Sequence, residues 1–213
     1  MNPSFIGSQY YVTDDISIIP RLEREINVNE EVEVDKELPI NTASVIASSI
    51  CGKSIQASVT YSIERPMKKI LQSLGFISRK DRELQYNGIY GTPDIITLNG
   101  DIAELKAVHG NADLCKGLMQ STIYSILKVM SDVKKYGDRI RYPRLYLILG
   151  YHDNINYPKG TTTLEKMEIY SVNIKIKGLG LPNNVITLYR AGYLIQSLLR
   201  ARQEVRPAIP VIM

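Results

Sequence analysis

The chain has 213 residues, one domain's worth at roughly 150 residues per domain. Apolar residues make up 44%, charged residues 23%, and the net charge is +4. That balance excludes a fibrous or disordered chain and permits, without demanding, an anionic partner. No stretch approaches the ~18 consecutive apolar residues of a membrane span. The opening MNPSFIGSQYYVTDD lacks the basic cap and apolar run of a secretory signal, so a cytoplasmic location is expected. Two cysteines, Cys51 and Cys115, cannot alone build a four-thiolate zinc or iron–sulfur site, and they fit no secreted disulfide framework. They are expected to be buried hydrophobes, with an intracellular disulfide as the alternative.

Residues 1–40 form a leader whose middle, EREINVNEEVEVDKE from Glu23 to Glu37, is acidic on an otherwise basic protein. Val28, Val32 and Val34 with carboxylates between them predict an edge strand or hairpin with one wet face, or a solvated arm. From Asn41 to Thr60, a cap at Asn41 or Thr42 and apolar residues at helical spacing (Val45, Ile46, Ile50) suggest a helix. In SIERPMKKILQSLGF, residues 62–76, the stripe Ile63, Met67, Ile70, Leu71 and Leu74 predicts a helix that Gly75 terminates. Pro66 belongs in a first turn, or marks a kink, because deeper in it removes a backbone hydrogen bond. The helix is therefore expected to start near Ser62, with Glu64 at its N-terminal end. Phe76–Leu84 is a candidate strand carrying Arg79, Lys80 and Arg82. Gly88–Leu98 and Asp101–Val108 flank Asn99-Gly100, a hairpin signal.

Residues 112–135 read as one long helix with Cys115, Leu118, Met119, Thr122, Ile126, Met130 and Val133 on its buried stripe. Lys116, Gln120, Tyr124 and Lys128 follow at steps of four, a polar stripe beside the apolar one. Arg144–Tyr151 is nearly all apolar, the mark of a strand covered on both faces. Glu165–Ile176 alternates as a further strand, and Val185–Val205 as a terminal helix before the extended tail RPAIPVIM. The order is helix, three strands, helix, strand, then strand and helix, which predicts an α/β fold. Residues 41–213 are taken as one domain behind the leader.

The sharpest constellation is Pro93-Asp94 followed, after nine intervening residues, by Glu104-Leu105-Lys106. Glu104 and Lys106, two apart on a strand, project to one face while Leu105 points to the other. A two-residue loop at Asn99-Gly100 pairs Ile95 with Glu104 and sends Asp94 to the wrong face. A three-residue loop, Leu98-Asn99-Gly100, with Gly100 left-handed, pairs Asp94 with Glu104. The second register, or a bulge with the same effect, is expected. Two neighbouring carboxylates repel unless a cation lies between them. Mg²⁺ takes one or two carboxylates and completes its shell with water and substrate phosphate, and Lys106 beside it suits phosphodiester hydrolysis. The plainer reading is a surface hairpin kept soluble by its charges.

In this context the sequence resembles the PD-(D/E)XK nuclease superfamily, and within it the archaeal Holliday junction resolvases. The residues that carry the likeness are Glu64-Arg65, Gly75-Phe76 eleven residues after Glu64, and the hairpin TPDIITLNGDIAELKAV, within roughly residues 60–150. The resemblance implies a restriction-endonuclease-like αβββαβ core: a mixed central sheet flanked by helices, here with an N-terminal arm and a C-terminal strand–helix extension. It implies Asp94 and Glu104 as ligands of Mg²⁺ or Mn²⁺, the Leu105 backbone carbonyl as a third ligand, and Lys106 as the catalytic lysine. It implies that Glu64 reaches the site from the first helix and Gln120 from the helix after the hairpin. Gln120 and Tyr124 are also spaced as in the RecB-like branch, whose iron–sulfur members need four cysteines, so no iron–sulfur cluster is expected here. Absence of Trp and abundance of Ile, Lys and Tyr suit an archaeal virus. Pro66 departs from the pattern of the opening helix and puts the placement of Glu64 in doubt.

Lys68, Lys69, Arg79, Lys80 and Arg82 precede the hairpin, and Lys116, Tyr124 and Lys128 follow it; with Lys134, Lys135, Arg139, Arg141 and Arg144 they are candidates for contacts to DNA phosphates. No base-reading motif is evident, so recognition by backbone and shape is expected. His109 and His152 lack a ligand-spaced partner, and Gly178–Gly180 reads as a turn. The expectation is a divalent-metal-dependent DNA endonuclease selective for branched or junction DNA, homodimeric as the resolvase likeness implies. The alternatives are a RecB-like exonuclease or end-processing nuclease on single strands, and a DNA-binding protein that keeps the fold without turnover.

Overall fold

A computed structural model describes residues 10–11, 16–33, 57–80, 82–86, 89–108, 111–137, 141, 143–153 and 160–176. The predicted elements at 41–50 and 185–205, the tail, Cys51, His109 and Gly178–Gly180 lie outside them. The described elements are β1 (Tyr10–Tyr11), β2 (Ile16–Glu33), α1 (Ala57–Ser73), β3 (Leu84–Tyr86), β4 (Ile89–Gly91), β5 (Ile95–Ile96), β6 (Ile102–Val108), α2 (Asn111–Tyr136), β7 (Leu145–His152) and β8 (Thr161–Ile176).

The fold is mixed α/β. Five strands in the order β2-β8-β7-β6-β5 form the sheet, the short β1 adds to its β2 edge, and β3 and β4 make a separate hairpin. β6 and β7 run parallel, joined by the α2 crossover, and the other neighbours are antiparallel. Strand alternation splits the core in two. Ala103, Leu105, Ala107 and Ile148 meet Ile63, Met67 and Leu71 of α1. Ile102, Leu147 and Leu149 meet Leu114, Leu118 and Leu127 of α2 on the opposite face. Gly150 lets α1 lie close on β7: a Cβ there would stand 2.5 Å from Met67 Sδ.

The leader enters the sheet, with β2 paired to β8 from Ile16↔Ile176 to Glu33↔Thr161. Two irregularities interrupt that ladder, and Asn29, with φ 55°, lies in the second. Ile26, Val28 and Val32 are half-buried against the α1-side core while the intervening carboxylates are exposed.

Three elements differ from expectation. α1 starts at Ala57, not near Ser62, and holds Pro66 in its interior. The lost backbone bond and ring clash cost ~3 kcal/mol. Ile63, Met67 and Leu71, all fully buried around it, contribute about 1.5–3 kcal/mol each and outweigh that cost. Glu64 is consequently mid-helix. Phe76–Leu84 does not form one strand: among its described residues Ser78 makes a single bridge to Thr97, with Arg79 N–H on the Ile96 carbonyl at 2.7 Å, and Leu84 opens β3. Ser78 to Arg82 offers no apolar side chain to bury on a sheet face. Gly88–Leu98 is split into β4 and β5 by Thr92 and Pro93, whose ring nitrogen cannot join a ladder.

α2 matches its predicted span to within a residue. α1 ends as Gly75 suggests: Phe76 N–H bonds the Leu71 carbonyl, Gly75 N–H bonds that of Gln72, and Gly75 has φ 92°. Cys115 is disulfide-bonded, the alternative of its two readings rather than the free buried thiol expected first. Among the described residues no helix is long and apolar enough to cross a membrane.

Candidate metal centre

The β5–β6 turn sets the site. Thr97 N–H bonds the Asp101 carbonyl, Gly100 N–H bonds that of Thr97, and Gly100 has φ 84°. The ladder pairs Ile96 with Ile102 and Ile95 with Ala103, the three-residue-loop register, whose continuation sets Asp94 opposite Glu104. Asp101 locks the turn to its surroundings, accepting from Arg144 N–H at 3.0 Å and from the Arg141 guanidinium at 3.2 Å.

β5 stops at Ile95. One position earlier the Asp94 side chain takes over the pairing: its Oδ2 accepts the Leu105 N–H at 3.0 Å. Arg82 donates to the carbonyls of Pro93 and Asp94, holding the chain as it peels away. The N–H and C=O of one strand residue point to the same side. The Leu105 carbonyl therefore also faces the edge that β5 has vacated.

Charged groups from α1 and β6 fill this edge. Lys106 Nζ lies 2.9 Å from Glu104 Oε1 and 3.7 Å from Glu64 Oε1. Lys68 donates to Asp94 Oδ1 at 2.7 Å. Glu104 is 2% exposed, and its Oε2 is buried without a hydrogen-bond partner. An orphaned carboxylate oxygen costs about 1–3 kcal/mol or more. Burial, with Asp94 nearby, pushes the Glu104 carboxyl up to about 7 against the pull of Lys106. Burial and then Asp94 likewise raise Glu64 well above the usual carboxylate range. Burial opposes the charge on Lys106, but Glu104, Glu64 and Asp94 together hold it above the ordinary lysine range.

From α2, Lys116 is buried and near enough to Lys106 that burial and this like charge lower its pKa against the pull of Asp113. Gln120, one turn on, is buried on the same side of the helix. Tyr124 is fully buried in the α2-side core, so the predicted polar stripe turns inward at this point and gives DNA no surface there. Lys128 pairs with Asp132, beside the hairpin tip at Gly100. Lys69, Arg79 and Lys80 are exposed, and Arg82 is half-buried. The structure thus gathers Glu64, Lys68, Asp94, Glu104, Lys106 and Lys116, and sets Tyr124 and Lys128 apart.

Sequence reasoning missed Gly117. A Cβ there would stand 3.0 Å from Lys106 Cγ and 2.6 Å from Leu147 Cδ1, so its missing side chain makes room for the lysine stem. An isolated glycine within a helical pattern was the available signal.

A second polar cluster is centred on β7 and β8. Glu168 accepts from Tyr151 at 2.6 Å, Tyr170 at 2.8 Å and Lys166 at 2.8 Å. Lys166 also reaches Glu25 and lies over the Tyr151 ring.

Comparison with family models, curated proteins and solved structures finds no match to the chain. The test of a metal site therefore rests on the donors. Among the described residues no three His, Cys, Asp or Glu groups gather closely enough to hold an ion by themselves. Asp94, Glu104 with its orphaned Oε2, and the Leu105 carbonyl suit a hard ion that keeps water and substrate among its ligands.

Proposed function

We propose that this protein is a divalent-metal-dependent deoxyribonuclease with a restriction-endonuclease-like core. The single observation that carries the reading is Glu104 Oε2: buried, unpartnered, and on the residue whose register sets it beside Asp94. Supporting the core are α1, the Ser78 bridge, β5, β6, α2 and β7, which follow in the order that the resemblance to PD-(D/E)XK nucleases implies once the separate β3–β4 hairpin, inserted between the bridge and β5, is set aside.

Asp94, Glu104 and the Leu105 carbonyl would hold Mg²⁺ or Mn²⁺. When bound, the ion would neutralise charge on a phosphate and make water a better nucleophile. Lys106, whose ammonium lies between Glu104 and Glu64, would orient an attacking water or meet charge developing on the phosphate oxygens. Glu64 steadies the Lys106 ammonium from α1, and Gly117 leaves space for its stem. Lys68 holds Asp94 in place.

The test is cleavage of labelled single-stranded, linear duplex and four-way-junction DNA with Mg²⁺ or Mn²⁺. Wild type should cut at least one substrate and stop on chelation. Asp94→Ala and Lys106→Met should each lose about 10²–10³ in rate while still binding DNA. Wild type that binds DNA but cuts none of the three with either ion leaves the DNA-binding reading in its place.

A further inference from the structure

We propose that the vacated sheet edge and the end of α1 form a track for one strand of DNA, running from Asp94 past Phe76 to Tyr146 and Arg144. The inference rests on the nuclease reading and names its substrate as single-stranded. Two hollows carry it. The first, about 290 Å³, opens beside Asp94 and is walled by Lys68, Arg79, Lys80 and Arg82. The second, about 530 Å³, has Arg24, Arg144, Glu23 and Tyr146 in its wall. Phe76 belongs to both, so one aromatic ring joins them.

Charge in the track is net positive. Arg79 donates to the Leu98 carbonyl at 2.6 Å and Arg82 to the Pro93 carbonyl at 3.1 Å, both neutral acceptors. Lys68 is matched by Asp94. In the second hollow Glu23 accepts a neutral Ser171 hydroxyl and offsets one of the two arginines.

The rings decide the form of DNA. Phe76 and Tyr146 meet edge to face, centroids 5.4 Å apart, and both are half-buried. Their packing fixes the orientation of the rings, and each still lines the hollow. Aromatic rings between cations are what a sequence-tolerant single-strand site uses. A base lies on such a ring only when it has left the duplex stack. The hollows are sized for single nucleotides, and the nearly closed Glu104 demands a slender chain at the site itself.

The test is fluorescence anisotropy of labelled oligo(dT) and of its duplex with oligo(dA), on the full chain with EDTA present. Wild type should prefer the single strand. Phe76→Leu keeps an apolar side chain but removes the ring, and should weaken single-strand binding by about five- to a hundredfold. Arg144→Glu, exposed and outside the core, should weaken it and flatten the salt dependence by about one phosphate contact. Duplex bound as tightly as single strand, or both variants binding like wild type, overturns the track. Mg²⁺-dependent cleavage separates the two proposals. Binding lost in both variants when wild type cuts nothing supports the track and removes only the nuclease reading. Cleavage by wild type, with both variants binding single strands normally, keeps the nuclease and removes the track.

Discussion

Replacing Gly117 by alanine tests how α2 and β6 jointly position the lysine. The new methyl would lie 2.6 Å from Leu147 Cδ1 and 3.0 Å from Lys106 Cγ. Carbon atoms pack best at about 3.5–4.0 Å, so roughly 1 Å must be found. Leu147 is fully buried and has no solvent to swing into. Overpacking of this kind costs about 1–3 kcal/mol, while exchanging glycine for alanine within a helix returns about 1 kcal/mol. The net loss lies between about zero and 2 kcal/mol, each kcal/mol lowering Tm by roughly 2–4 °C at this chain length. Activity should suffer more than stability, because displacing a catalytic group by about 1 Å can cost 10²-fold. Thermal melting beside Mg²⁺-dependent cleavage reads both. A variant that melts above wild type and cuts at the wild-type rate would falsify the close approach of α2 to Lys106.

Two further outcomes test the two charged clusters. Mn²⁺ or Mg²⁺ at a hundredfold its Kd should stabilise wild type by about 2.7 kcal/mol, and Glu104→Gln should show no such rise in Tm; equal rises in both proteins would place the ion elsewhere. Glu168 gives a pH dependence. Burial alone would raise its carboxyl, but Lys166, Tyr151 and Tyr170 hold it below its ordinary 4.5. A depressed acid stabilises the fold above its unfolded value and loses that contribution as pH falls through the folded value. Melting should therefore weaken on acidification below about pH 4.5. Glu168→Gln should cost about 2 kcal/mol at neutral pH for the lost charge-assisted bonds, read as a lower Tm, and should flatten the acid limb; an unchanged acid limb refutes the assignment.

The register of the site hairpin was readable because its cause is local: Gly100 in a left-handed turn settles which residue faces Glu104. The span of α2 was readable from a long apolar period. The start of α1 was not, because a rule about Pro66 in isolation ignores three buried neighbours on the same helix. Pairing of β2 with β8 joins segments far apart in sequence, and the fit of Gly117 to Lys106 crosses from helix to sheet. Neither leaves a periodic trace. Tyr124 shows the same limit, since helical spacing alone cannot tell a wet stripe from one turned toward the sheet.

Pro93 is the residue on which this site turns. Had β5 run on through positions 92–94, the Leu105 N–H and carbonyl would both be consumed by strand pairing, as those of an interior β residue are. Pro93 cannot donate to such a ladder, and Arg82 takes its carbonyl, so the pairing ends. Three things then become possible at one place. Asp94 can spend a carboxylate oxygen on the Leu105 N–H, the Leu105 carbonyl is left facing the edge, and Glu64 can reach Lys106 from α1. The proline immediately before Asp94 thus ends the pairing at the point where this site is built. The same vacated edge opens the hollow beside Asp94, and on the proposed nuclease reading a phosphate would enter on this side, which a continuous strand would have closed.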